Sequence, residues 1–216
     1  MLSKSLFVAV ALAAGCVASA ADKPKVTAFE RSQGWRLLFD GGKITEWRGY
    51  RAEKVPANWQ AQGDSLAGSA GTVLVTTQEF RDFELQFDWC VAEGGQGAVL
   101  FRVNEDLKSP DESALRMNLA GADAALGGNG LMPPDRGLTP QFGVWYRSRL
   151  VVFGEVVEHW INGERVAAYS VGSPDWKRAV AASALAGAKE LGRLRDGRIA
   201  LAGDKVEFRN LKVRAL

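Results

Sequence analysis

Val156-Val157-Glu158-His159-Trp160-Ile161-Asn162-Gly163-Glu164-Arg165-Val166 is the stretch on which the fold reading turns. An alternating run meets Asn-Gly, and a second β-rich run, Val166 to Val171, follows. Both residues of a tight two-residue turn need positive φ, which Asn and Gly tolerate, so the stretch predicts a β-hairpin. Its first strand carries the chain's one histidine. Alternation sends Glu158 and His159 to opposite faces, so the two cannot serve one site together.

Outward from the hairpin, the chain reads as short strands between glycine-rich breaks. Expected strands are Trp35 to Phe39, Trp59 to Leu66, Thr72 to Thr76, Phe83 to Trp89, Ala98 to Val103 and Leu115 to Leu119. Val144 to Tyr146, Leu150 to Phe153, Arg198 to Leu201 and Val206 to Val213 complete the set. Gly94-Gly95-Gln96-Gly97 is expected to interrupt a strand and Ala202-Gly203-Asp204 to turn one. Val206 and Phe208 share one parity and Leu211 and Val213 the other, which predicts a bulge near Arg209-Asn210. Residues 21–34 read as a polar lead-in, 104–142 as a long connection containing Leu115 to Leu119, and Asp175 to Leu191 as one helix and a turn. The pattern is that of an all-β sandwich or barrel.

Of the 216 residues, 47% are hydrophobic, enough for a sizeable core, and the net charge is only +2 with both signs interspersed. No basic stripe points to a nucleic-acid partner. Lys4, the apolar Leu6 to Ala14 and the small-residue site Ala18-Ser19-Ala20 predict an export signal over residues 1–20. One domain, residues 21–216, would then reach the bacterial periplasm or the exterior. A rival reading takes Ala13-Ala14-Gly15-Cys16 as a lipoprotein site with Cys16 lipidated. No later apolar run suits a transmembrane segment. Loss of the signal would remove Cys16 and leave Cys90 as a buried thiol without a disulfide partner.

Five ordered segments carry a family resemblance: Gly34-Trp35-Arg36-Leu37-Leu38-Phe39-Asp40-Gly41 followed by Trp47; Phe80-Arg81-Asp82-Phe83-Glu84-Leu85; Phe101-Arg102; Val157 to Gly163; and Val206-Glu207-Phe208-Arg209-Asn210-Leu211. The set resembles the 3-keto-disaccharide hydrolase family, whose domain is also described as a 3-keto-glucoside lyase or 3-keto-glucal hydratase. The resemblance implies a concanavalin-like jelly roll of two antiparallel sheets with a sugar site on a concave face. It also implies a carbohydrate-active hydrolase or lyase that cleaves 3-keto-glycosides, which the signal reading makes an exported one. The chain departs from the family's pattern at Gln96-Gly97-Ala98, Leu115-Arg116-Met117-Asn118, Gly143-Val144-Trp145-Tyr146 and Leu201-Ala202-Gly203-Asp204, where polar site residues are usual. A non-catalytic, lectin-like glycan-binding module is therefore the alternative.

A ketone at sugar C3 acidifies the C2 proton, so the chemistry needs a base, a stabiliser for the enolate oxygen and an acid for the leaving group. His159, Arg102 and Asp88 are the candidate catalytic residues; Asn118, Gln96, Trp160 and Tyr146 are the candidate substrate-binding residues. Each has an ordinary alternative: His159 satisfied within the sheet, Arg102 bridged to Asp88 or Glu84, Asp88 on a solvated strand face. Trp35, Trp89 and Trp145 read as core, whereas Trp47, Trp59, Trp160 and Trp176 stay open as sugar platforms. The step requires no redox cofactor. A divalent metal is compatible with it as a Lewis acid, but no cluster has metal-ligand spacing and no metal residues are assigned. The partner is a carbohydrate, and the sequence does not encode the oligomeric state.

Overall fold

A computed structural model describes Cys16 and residues 24–120, 129–136 and 138–216. The rest of the expected signal region and Gly127-Gly128 lie outside the described residues. The strands are β1 (Arg36–Leu37), β2 (Trp47–Gly49), β3 (Trp59–Gln62), β4 (Ser65–Gly68), β5 (Leu74–Phe80) and β6 (Phe83–Val103). They continue as β7 (Leu115–Asn118), β8 (Tyr146–Phe153), β9 (Val156–Ile161), β10 (Glu164–Ser170) and β11 (Gly197–Ala215). Two short helices, α1 (Ala28–Ser32) and α2 (Pro174–Ala181), and a 3-10 turn at Pro110–Glu112 complete the set.

All strand pairings are antiparallel. β6 and β11 pair along nearly their whole length, from Phe83↔Ala215 to Val103↔Arg198, and each serves two layers. The first half of β6 and the second half of β11 belong to a seven-strand run, β10-β9-β8-β6-β11-β4-β3. The other halves belong to a second layer with β7 beside β6, and with β5 and then β2 beside β11. The architecture is an all-β jelly-roll sandwich.

The inward residues follow the pleat. Phe83, Leu85, Phe87, Trp89 and Val91 of one layer meet Val99, Phe101, Leu115 and Met117 of the other in one buried cluster. Phe101 stands edge-on to Phe83, centroids 6.4 Å apart, and to His159 at 6.5 Å, so the layers interdigitate. Burying one such aromatic side chain is worth about 2–3 kcal/mol, which makes this face the main source of stability.

The hairpin forms as expected: Ile161 pairs with Glu164 across Asn162 (φ 50°) and Gly163 (φ 84°). The predicted bulge lies between Arg209 and Lys212, where Asn210 takes φ 53°. Several expectations are corrected. The glycines at 94–97 and 203 do not end strands; they lie where β6 and β11 pass from one layer to the other. A Cβ on Gly203 would sit 2.4 Å from the Gln96 carbonyl oxygen, so only glycine permits that backbone approach. Trp59 to Leu66 is a hairpin, β3–β4, because Gly63 at φ 60° turns the chain. The lead-in contains α1, closed by a capping box between Thr27 and Glu30.

The expectation of a lone Cys90 concerns a chain that has lost Cys16; the structure is of the chain that retains it. In that chain Cys90 forms a disulfide with Cys16 and is fully buried, so it is not a free thiol there. Trp47, Trp59 and Trp176 are buried in the core rather than open, whereas Trp145 is partly exposed with Arg209 stacked 4.0 Å over its ring.

Candidate functional site

The sugar-site candidate lies on the outer face of the layer that contains β7. β7 pairs with β6 in the register Ala98↔Asn118 and Leu100↔Arg116. Leu115 and Met117 point into the core, so Arg116 and Asn118 point outward. On the far side of β6, β11 places Ala202 beside Ala98, Gly203 beside Gly97 and Asp204 beside Gln96. The result is a cleft of about 480 Å³ with a floor of small residues, Gly97, Ala98, Ala202 and Gly203. Gln96, Arg116 and Asn118 stand around it, and Ala70 and Gly71 form a rim. The Asp204 carboxylate fixes that rim by accepting a hydrogen bond from the Ala70 N–H at 3.0 Å.

Among the described residues, the side chains of Gln96 and Asn118 have no hydrogen-bond partner. Arg116 Nη2 donates to Asp111 Oδ1 at 2.5 Å, which places a carboxylate at the cleft's edge. The rest of this outer face, Val75, Leu100 and Ala200, is buried with Ala114. The cover is anchored by Tyr50, whose hydroxyl lies 2.9 and 2.8 Å from the Asn104 and Leu107 carbonyl oxygens. It is anchored also by Glu105, held between Arg48 and Arg198. Burial works against the Glu105 charge, but hydrogen bonds from Arg48, the Arg51 N–H and Arg198 win and keep its pKa at about 2.

The expected catalytic residues do not meet. His159 is 0% exposed, inside the sandwich, with Nε2 3.4 Å from the Tyr169 hydroxyl and Nδ1 without a partner among the described residues. Burial pushes its pKa down to about 3, so it stays neutral and out of a sugar's reach. Arg102 is 2% exposed at φ 58°, and its guanidinium donates to the carbonyl oxygens of Gly192 (3.1 Å) and Gly154 and pairs with Glu155 at 3.4 Å. It ties the end of β6 to two loops rather than facing a cleft. Neither Asp88 nor Glu84, the partners expected for it, is among these contacts.

Asp88 lies on the outer face of the seven-strand layer. It accepts from Arg147 Nε at 3.0 Å and Asn210 Nδ2 at 2.7 Å. Trp160 is on that layer too, donating from Nε1 to Glu158 at 2.9 Å. Tyr146 stacks on Trp89 with centroids 5.0 Å apart, and its hydroxyl accepts from the Gln141 N–H at 2.9 Å. Of the seven candidate site residues, Gln96 and Asn118 share this cleft, Asp88 and Tyr146 share a hollow on the opposite outer face, and His159, Arg102 and Trp160 join neither pair. Arg116 was the omission; its place two residues before Asn118 on a strand was the signal that both face the same way. Among the described residues no three His, Cys, Asp or Glu side chains gather to hold a metal.

Comparison with known proteins agrees with this architecture. Residues 34–214 match the family model described as the 3-keto-alpha-glucoside-1,2-lyase-like domain. A curated relative, the 3-keto-disaccharide hydrolase of Bacteroides thetaiotaomicron, is 26% identical over 86% of this chain and 79% of its own length. A Parabacteroides distasonis structure provisionally described as a glycosyl hydrolase superposes with TM-score 0.81 at 24% identity, covering 90% of this chain and all of that one. The carbohydrate-binding module CBM66 from Bacillus subtilis superposes with TM-score 0.55 at 13% identity, covering 79% of this chain and 96% of the module.

Proposed function

Because this chain belongs to the 3-keto-alpha-glucoside-1,2-lyase-like family, we propose that it is a carbohydrate-active hydrolase-type enzyme that takes a 3-keto-glycoside into the Arg116–Asn118 cleft. One observation carries the reading: a cation and two amides surround a floor of glycine and alanine, which has no large side chain to obstruct a pyranose ring. Asn118 and Gln96 hydrogen-bond sugar hydroxyls. Arg116 faces the C3 oxygen, where negative charge develops. Asp111, the carboxylate in contact with Arg116, removes the C2 proton. The C2–H electron pair forms the enolate, the enolate expels the glycosidic oxygen from C1, and that oxygen takes the proton from Asp111. Water adds to the unsaturated product to complete net hydrolysis.

The second reading is a glycan-binding module without catalysis. It is favoured by the lining of the cleft, which among the described residues holds no carboxylate or imidazole. Release of the aglycone from a chromogenic 3-keto-glucoside, with and without added Mg²⁺, separates the two. Turnover that falls about 100-fold or more in Asp111→Asn, with KM raised in Asn118→Ala, supports the enzyme. Saturable binding without product under either condition selects the module, and no binding at all removes both.

We propose also that residues 1–20 direct export, on the basis of Lys4, the apolar run and Ala18-Ser19-Ala20. Cleavage after Ala20 before the disulfide closes would leave Cys90 without Cys16. N-terminal sequencing of the protein recovered from its own cells tests this, and an uncleaved Met1 end would refute it.

A further inference from the structure

The opposite side of the sandwich carries polar relief that the cleft reading does not use. On the outer face of the seven-strand layer, a hollow of about 230 Å³ is lined by Lys25, Asp88, Arg147, Asn210 and Lys212, among others. It shares Asp88 and Arg147 with a second hollow of about 530 Å³ containing Trp145 and Asn162. That one shares Gly163 with a third, of about 380 Å³, lined by Trp160 and Arg165. The three form one furrow.

Its floor is fixed in advance. Asp88 uses both oxygens on Arg147 and Asn210, with Arg209 Nε 3.7 Å away, and the Asp88 and Arg209 side chains are only 9% and 12% exposed. Arg147 is 73% exposed; Asp88 engages its Nε and leaves its terminal amino groups facing the furrow. Two half-exposed indoles lie along the track, each with a guanidinium stacked on one ring face: Arg209 at 4.0 Å from Trp145 and Arg149 at 4.1 Å from Trp160. Around the first two hollows the charge is positive. Lys25, Arg147, Arg209 and Lys212 outnumber Asp88 and the flanking carboxylates Glu30 and Asp64, four to three.

Indoles spaced along an open furrow suit the flat faces of successive sugar rings. An exposed guanidinium fork suits a planar anion on those rings. We propose that this face is a second carbohydrate-binding surface, independent of the Arg116–Asn118 cleft, which takes an extended acidic glycan with carboxylate or sulfate groups. Arg147 grips the anion, and Trp145 and Trp160 seat rings on either side of the Asn162-Gly163 turn. Such a surface would hold the protein on an acidic polysaccharide while the cleft works on a chain end.

Calorimetric titration of the whole protein with a galacturonate hexamer, its neutral galactose counterpart and a sulfated galactose hexamer tests this. Saturable binding of an acidic hexamer, about tenfold weaker in Arg147→Gln, weakened by salt and unchanged in Asn118→Ala, supports the proposal. Preference between carboxylate and sulfate names the anion. Chemical-shift changes confined to residues near Trp145, Asn162 and Trp160 support it without any substitution. It is overturned if neither acidic hexamer binds, if the neutral hexamer binds equally well, or if Asn118→Ala abolishes binding while Arg147→Gln does not.

Discussion

Arg102→Met tests whether the Phe-Arg arginine is a strut or a catalyst. Methionine keeps much of the side chain's bulk but removes every donor. The Gly192 and Gly154 carbonyl oxygens then lose a cationic donor, and Glu155 loses one of two arginines while keeping Arg195 at 2.5 Å. Hydrogen bonds to a charged group are worth roughly 1.5–3 kcal/mol each, and methionine packing recovers part of the loss, so about 3 kcal/mol of stability should go. For a domain of this size that is a fall in Tm of about 6–12 °C. Backbone strain works alongside: Arg102 sits at φ 58°, and a Cβ at Gly197 would be 2.7 Å from its Cα, so the bend is held by close packing. Thermal and urea unfolding give the stability change, and sugar binding or turnover per folded molecule gives the functional one. A variant with unchanged Tm and midpoint that no longer binds or turns over sugar would refute the strut and return the guanidinium to the chemistry.

His159 should make the fold acid-sensitive. Its folded pKa of about 3 lies below the ordinary 6.5, so the unfolded chain binds the extra proton between those values. Stability attributed to the neutral ring is full above about pH 6.5 and declines as pH falls toward 3, by up to about 1.4 kcal/mol per unit. His159→Leu should flatten that part of a urea-midpoint profile; an unchanged slope would show that other groups cause it. Gly203→Ala should cost more than about 2 kcal/mol, because its Cβ meets a carbonyl oxygen and its φ of 154° disfavours a side chain. The same variant should lose sugar binding, since Gly203 is part of the cleft floor. Gly163→Ala, with φ 84° and no atom near its Cβ, should cost only about 1 kcal/mol, and equal urea midpoints for the two would contradict the explanation.

The hairpin and the bulge were legible because each is a local conformational demand written in two residues: Asn162-Gly163, and the parity change around Asn210. The through-running strands were not. A glycine that ends a strand and a glycine that lets two backbones touch look alike in sequence; only Gln96 and Gly97, brought against Gly203 from afar, tell them apart. The candidate site was legible to the extent that alternation governs it. Asn118 implies Arg116, and Glu158 excludes His159. What alternation cannot say is which face of a strand a sandwich buries. That is why Asp88, His159 and Asn118 occupy an outer face, the interior and the opposite outer face.

The pairing of β6 with β11 has a consequence for the order of events in a growing chain. The first layer cannot close its middle, and nothing joins the β2–β5 pair of the second layer to β6 and β7, until β11 exists. Contacts so distant along the chain fold slowly and leave apolar surface uncovered meanwhile. Nothing short of β11 can shut this sandwich, so it should stay open to chaperones until that ribbon has emerged.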